Sequence, residues 1–139
     1  MTNTSNKFVA VLNKKIEPGK VMNALAHMTA GLVGTFSNVE EMDIINYEDK
    51  NDGAHMASKN PFIILSAKNS NKLRTFRNAL IEKNIHFASF TNAMTVGTWE
   101  EQVESSKNTP EEELEYYGVC AFGKQEDLDA LTSKFSLWR

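Results

Sequence analysis

KFVAVLNKKIEPGKVMNALAHMTAGLVG, Lys7 to Gly34, holds two hydrophobic periods in one stretch, and the change between them sets the fold class. From Lys7 to Asn13 the apolar residues run almost unbroken, which suits a strand covered on both faces at the centre of a sheet. Pro18 and Gly19 interrupt the run at a point where a helix can begin. Over Val21–Val33 the residues Val21, Leu25, Met28 and Leu32 fall on one helical stripe, and Gly34 is placed to end it. A two-faced strand followed by an amphipathic helix predicts layered α/β architecture.

The remaining segments extend that pattern. PFIILSAK (Pro61–Lys68) is a second core strand. Ser70 then N-caps a helix carrying Leu73, Phe76, Leu80 and Ile81 inward, with Asn84 as its left-handed stop. IHFASF (Ile85–Phe90) and GVCAFG (Gly118–Gly123) are further strands, and KQEDLDALTSKF (Lys124–Phe135) is a short last helix with Leu128 and Leu131 inward. VEEMDIINYE (Val39–Glu48) alternates loosely, as an edge strand does, and DKNDG (Asp49–Gly53) is turn chemistry. That turn has part of a calcium loop's spacing, but without a glutamate at its last ligand position or flanking helices a plain turn is expected. The whole predicts one α/β domain over residues 1–139, a mixed sheet of about four or five strands flanked by helices, with residues 1–6 frayed.

WEEQVESSKNTPEEELEYY, Trp99 to Tyr117, departs from this alternation with seven glutamates against one lysine. Residues 99–116 read as an acidic insertion, either a solvated loop or an arm that repels nucleic acid and meets a basic protein partner. Within it, Thr109-Pro110-Glu111-Glu112 matches a capping box with proline at the first helical position and predicts a helix start. Glu111, Glu112, Glu113 and Glu115 are the candidate binding residues of this arm.

Composition removes several functions. The chain is 41% hydrophobic and 24% charged, ordinary for a globular protein, and its net charge of −3 offers no general attraction to a polyanionic backbone. Nucleic acid is therefore not an expected partner. The single cysteine, Cys120, excludes an internal disulfide and sits in an apolar run that predicts a buried, inert thiol. His27, His55 and His86 lie far apart, so no metal is expected, and no Walker, G-x-G-x-x-G or G-x-S-x-G signature points to a cofactor or a serine nucleophile. No apolar run approaches the ~20 residues that cross a bilayer, and MTNTSNK lacks a signal-peptide core; a cytoplasmic location without membrane association is expected. Trp99 and Trp138 are candidate interface anchors, with at least one of them in the core.

Candidate site chemistry lies on the first helix. At about 100° per residue, Lys20, Asn23 and His27 fall within about 60° of one another, opposite Val21, Leu25 and Leu32. Three polar groups on one face either converge on a ligand or contact water.

The strand, the basic turn and the G-K-x-x-N-A-x-A-H run of Gly19–His27 resemble the first strand and helix of type-2 peptidyl-tRNA hydrolases, where the pattern is closer to G-K-x-A-A-Q-x-x-H. PFIILSAK, SNKLRTFRNALIEKNI and HFASFTNAMT resemble the elements that follow in that family. NALAHMTAGL and YGVCAFG…LTSKFSLWR are similar to a bacterial domain-of-unknown-function family with the hydrolase-like fold, and the likeness covers roughly residues 7–137. The resemblance implies a peptidyl-tRNA hydrolase type 2-like fold and points to Lys20, His27 and Thr95 as vestigial catalytic candidates. It also exposes a departure. Asn92-Ala93-Met94-Thr95 stands where the hydrolases carry Asp-Ala-Gly-Arg-Thr. An amide cannot take a proton as a carboxylate does, Met94 adds bulk, and the missing arginine removes a planar phosphate fork.

Two functions follow from the resemblance. The first is a non-catalytic protein-binding regulator, with Asn23, Asn92 and Met94 joining the acidic arm as binding residues and homodimerisation through a sheet or helix face. Its fold group includes small inhibitors of bacterial ubiquitin-deamidating and ubiquitin-crosslinking (transglutaminase) enzymes, which makes such an enzyme the candidate partner. The alternative is a peptidyl-tRNA hydrolase or related acyl-ester hydrolase, with His27 as base and Lys20 stabilising an oxyanion.

Overall fold

A computed structural model, which describes residues 5–139, places the first apolar run at the centre of the molecule. In chain order the elements are β1 (Asn6–Asn13), α1 (Pro18–Gly34), β2 (Ile44–Asn46), β3 (Met56–Ser58), β4 (Phe62–Ala67), α2 (Ser70–Glu82), β5 (His86–Thr91), α3 (Trp99–Lys107), β6 (Tyr116–Lys124), α4 (Gln125–Thr132) and β7 (Ser136–Leu137). Five strands form one mixed sheet in the order β5-β6-β1-β4-β7. β1 runs parallel to β4 and antiparallel to β6, while β5–β6 and β4–β7 are antiparallel.

The strand period divides the core into two halves. Phe8, Ala10 and Leu12 of β1 point to one face, where α1 covers them with Val21, Ala24, Met28 and Leu32. Val9 and Val11 point to the other, beneath Leu73, Phe76 and Leu80 of α2 and Leu128 of α4. All of these are essentially sealed from water, and each large side chain so buried contributes about 1.5–3 kcal/mol. Ala24, rather than Leu25, sits at the middle of α1's buried face; Leu25 is half-buried at its margin.

Two polar details set the start of α1. Asn13 is buried at the end of β1, where Nδ2 donates to the Tyr116 carbonyl (2.9 Å) and Oδ1 accepts from the Lys15 amide (2.9 Å). That pins the turn leading to Pro18, the first residue of the helix. At its far end α1 closes on Thr35 in the right-handed region, whose N–H and hydroxyl both donate to the Gly31 carbonyl, so no left-handed glycine is needed after Gly34.

The structure corrects several sequence expectations. Asn69, not Ser70, caps α2: its Oδ1 accepts from the Lys72 amide (3.0 Å), which frees the Ser70 hydroxyl to accept from Tyr116 N–H (2.8 Å). Ile81 turns outward, while Asn84 does take the left-handed stop with φ 56°. Val39–Glu48 is not one strand. Met42 is drawn into the core by a 3-10 turn (Val39–Met42), and left-handed Asp43 breaks the alternation. Only Ile44–Asn46 remains extended, paired with β3 in a two-stranded ribbon outside the main sheet. Asp49–Gly53 is the expected turn, with the Asp49 carboxylate accepting from the Asn51 and Gly53 amides.

The Thr109 capping box starts no α-helix. Its hydroxyl donates to the Ser105 carbonyl (2.7 Å) at the end of α3, and only a 3-10 turn, Glu111–Glu113, follows Pro110. The segment's helix lies earlier, opened by a Thr98–Glu101 capping box. Lys124–Phe135 is likewise shorter as a helix than expected, because the chain turns after Thr132 to add β7 along β4. Asn6 belongs to β1, and the Ser5 carbonyl accepts from Gln125 N–H, so these two residues are not frayed; residues 1–4 of that expectation lie outside the described residues.

Candidate functional site

A cleft of about 710 Å³ opens where α1 starts, and five of the sequence candidates meet on its walls. Lys20, Asn23 and His27 come from α1, Met94 and Thr95 from the 3-10 turn Asn92–Met94 and its end, and Gly19 from the first turn of α1. The floor is aromatic: Phe90, buried near the end of β5, has its ring 5.9 Å from His27 and 5.8 Å from Tyr117 of β6. Trp99 and Gln102 of α3 close the remaining side.

The chemistry of these walls is lopsided. Lys20 is the only formally charged side chain among the lining residues. Its ammonium stands 3.8 Å from the Glu17 carboxylate in a well-exposed pair that contributes little. Glu17 stands at the N-cap position of α1 and makes no side-chain hydrogen bond there, so it caps none of the amides in the helix's first turn, which borders the cleft. The Thr95 hydroxyl donates to the Asn92 carbonyl (2.6 Å), leaving its oxygen as an acceptor, and Gln102 Nε2 donates to the Gly97 carbonyl (3.2 Å). Lys20, His27 and Asn23 therefore confront any guest with more donors than acceptors.

Other candidates lie elsewhere. Asn92 does not line the cleft. Its backbone N–H donates to the Glu115 carbonyl (2.9 Å) and its Oδ1 accepts from the Glu115 amide (3.0 Å), so it ties the end of β5 to the approach to β6. Glu111 is half-buried and folded back onto the molecule: its carboxylate accepts from Arg74 Nε (2.9 Å) and from the Tyr116 hydroxyl (2.7 Å). The Tyr116 hydrogen bond, followed by Arg74, holds that carboxyl below its ordinary range. Glu112, Glu113 and Glu115 are exposed, away from the cleft.

The sequence does not single out Phe90, Gln102 or Tyr117, and it marks Trp99 only as an interface anchor. The i,i+3 spacing of Trp99 and Gln102 was the available signal, masked by the surrounding charge. Trp138 packs at the edge of the α1-side core, with Lys14 Nζ 4.2 Å from its ring centre, whereas Trp99 is 70% exposed. Cys120 is sealed in the core, and burial pushes its thiol up to about 12, far from nucleophilic use. His86 Nε2 donates to the Leu32 carbonyl (2.7 Å), and His55 pairs with Asp49 (2.8 Å) in the ribbon turn. Among the described residues no three His, Cys, Asp or Glu side chains gather as a metal-ligand set, and no helix is long and apolar enough to cross a membrane.

The profile of the family described as "Protein of unknown function (DUF2000)" matches residues 6–139, the whole of the sheet and every helix. The chain belongs to the DUF2000 family. Among solved structures it is similar to a protein of unknown function, Atu0240, from Agrobacterium tumefaciens strain C58, with a TM-score of 0.81 and 15% sequence identity. That superposition covers 97% of this chain and 98% of the other, so the two share a fold throughout. No curated protein matches the sequence. For a DUF2000 domain the α/β architecture is thus common ground, and the cleft has to be interpreted from its own residues.

Proposed function

We propose that this DUF2000 protein is a non-catalytic protein-binding regulator on a peptidyl-tRNA hydrolase type 2-like fold, its α1 cleft retained in shape without the old reactivity. The supporting observation is the cleft's composition: Lys20, His27 and Thr95 converge, yet none of the lining residues is an aspartate, glutamate or cysteine. Histidine catalysis of acyl transfer works best when a partner group orients the ring. His27 has only the Phe90 ring as its close aromatic neighbour, and Asn92 is engaged with Glu115. The exposed Glu112, Glu113 and Glu115 supply a surface for a basic partner. A ubiquitin-deamidating or ubiquitin-crosslinking enzyme is the partner class that the sequence resemblance adds.

The convergence of Lys20, His27 and Thr95 also favours a second reading, hydrolysis of peptidyl-tRNA or a related acyl ester. One pair of measurements separates the two. Co-purification from native lysate, read by mass spectrometry and followed by reconstitution of the identified complex, should give fixed stoichiometry. Glu112→Lys, Glu113→Lys and Glu115→Lys together should weaken it about tenfold or more. Peptidyl-tRNA at high protein concentration should stay intact. Turnover that disappears in Lys20→Ala and His27→Ala, with unchanged circular dichroism, would establish the hydrolase and refute the regulator.

A further inference from the structure

α3 is built inside out. At about 100° per residue, Trp99 and Val103 lie within about 40° of each other, and Gln102, Ser105 and, just past the helix, Thr109 follow another side. The polar side is the half-buried one. Trp99 and Val103 are 70% and 59% exposed, Val96, three residues before Trp99, is 48% exposed, and no residue of α3 is buried. A surface helix ordinarily hides its apolar stripe. Here hydroxyls and an amide are the half-shielded groups, and the indole, at the edge of the cleft, is open to water.

We propose that Val96, Trp99 and Val103 anchor a docking surface for a protein partner that presents an apolar helix face bordered by lysine or arginine. This rests on the regulator reading and names the part of the surface that recognises the partner. The charge around the stripe selects the occupant. α3 carries Glu100, Glu101 and Glu104 against Lys107 alone, and Glu112, Glu113 and Glu115 follow. A second copy laid on this face would double the excess of negative charge, whereas a basic border neutralises it. Three side chains are too few for a whole interface of roughly 800 Å² per partner, so they act as its anchor and the acidic segment as its rim. Trp99 also lines the cleft, so a docked partner covers the cleft mouth.

The test uses two synthetic amphipathic peptides of about 18 residues, one of leucine and lysine and one of leucine and glutamate. Binding is followed through the two indole N–H signals in nitrogen-15 NMR, assigned with Trp99→Phe. The leucine–lysine peptide should bind saturably at one to one, shifting Trp99 and residues 96–104 and leaving Trp138 in place. Trp99→Ser with Val103→Ser should weaken it about 30-fold, as loss of a hot spot does. Glu100→Lys with Glu104→Lys should transfer the preference to the leucine–glutamate peptide. Equal binding of both peptides, shifts away from α3, or self-association of the unliganded protein that covers Trp99 would each overturn the proposal. A partner recovered equally by the wild type and by Trp99→Ser/Val103→Ser refutes this surface and leaves the regulator standing. Docking of the basic peptide by a protein that turns over peptidyl-tRNA refutes the regulator and leaves the surface.

Discussion

Gly118 of β6 leaves room for the Met28 side chain of α1 to pack on the sheet. A Cβ there would stand 2.7 Å from Met28 Cε, 2.9 Å from Leu12 Cδ2 and 3.3 Å from the Val11 carbonyl oxygen. The Met28 methyl can swing aside, but the Leu12 branch is buried and the carbonyl belongs to the central strand. Gly118→Ala should therefore lower the unfolding free energy by about 1–3 kcal/mol in urea titration, and an unchanged midpoint would show that the layer gap is slack. At this scale much was legible. Helical arithmetic alone brought Lys20, Asn23 and His27 together, and the cleft walls contain all three. The Ser70 cap failed for a physical reason. Asn69 and Ser70 are equally good capping residues, and the choice was made by Tyr116 N–H, which lies 46 positions away and takes the serine hydroxyl.

Among the elements, α3 depends most on its own ends. Gly97 turns into it with φ 61°, and a Cβ there would fall 2.4 Å from Glu101 Oε1, the carboxylate that accepts from Thr98 N–H. Gly97→Ala combines left-handed strain of about 1–2 kcal/mol with damage to the capping box. Hydrogen exchange across residues 99–107 should accelerate about 5- to 30-fold while the main sheet keeps its protection. Uniform loss of protection would mean instead that α3 is integral to the core. Element type was legible wherever apolar periodicity was strong, as in β1, α1, β4 and α2. It failed in the acidic segment, where two capping boxes compete within a dozen residues. The winner was decided at long range. Arg74 of α2 donates to the Glu111 carboxylate and to the Glu111 and Leu114 carbonyls, with its guanidinium 5.2 Å from the Tyr116 ring centre, and this holds residues 111–114 in a tight turn.

For the molecule as a whole, these local bonds sum to a dependence of stability on pH. Asp49, Glu101 and Glu111 are all held below their ordinary carboxyl range. The leading causes are the His55 hydrogen bond, the Thr98 amide and the Tyr116 hydroxyl, respectively. The native state therefore binds fewer protons than the unfolded chain there, and that stabilisation is lost as pH falls through the lowered values. Tyr116 and Cys120 run the other way, each pushed up to about 12 chiefly by burial. Their contribution is complete below the unfolded values of about 10 and about 8.5 and is lost as pH rises toward about 12. Urea midpoints should form a plateau between about pH 5 and 8, with Cys120→Ala delaying the alkaline decline and Tyr116→Phe reducing its upper part. A decline unaltered by both substitutions would assign it to other groups. Strand order was the least legible property, because pairing joins residues far apart and β7 is two residues long, too short for any period to register. Yet β7, with Trp138 N–H on the Ile64 carbonyl, is what covers the outer edge of β4 from Ile64 to Ser66. A stray protease cut that shed residues 136–139 would bare a row of main-chain donors and acceptors beside an apolar layer, giving the molecule an adhesive margin on which fibres can nucleate.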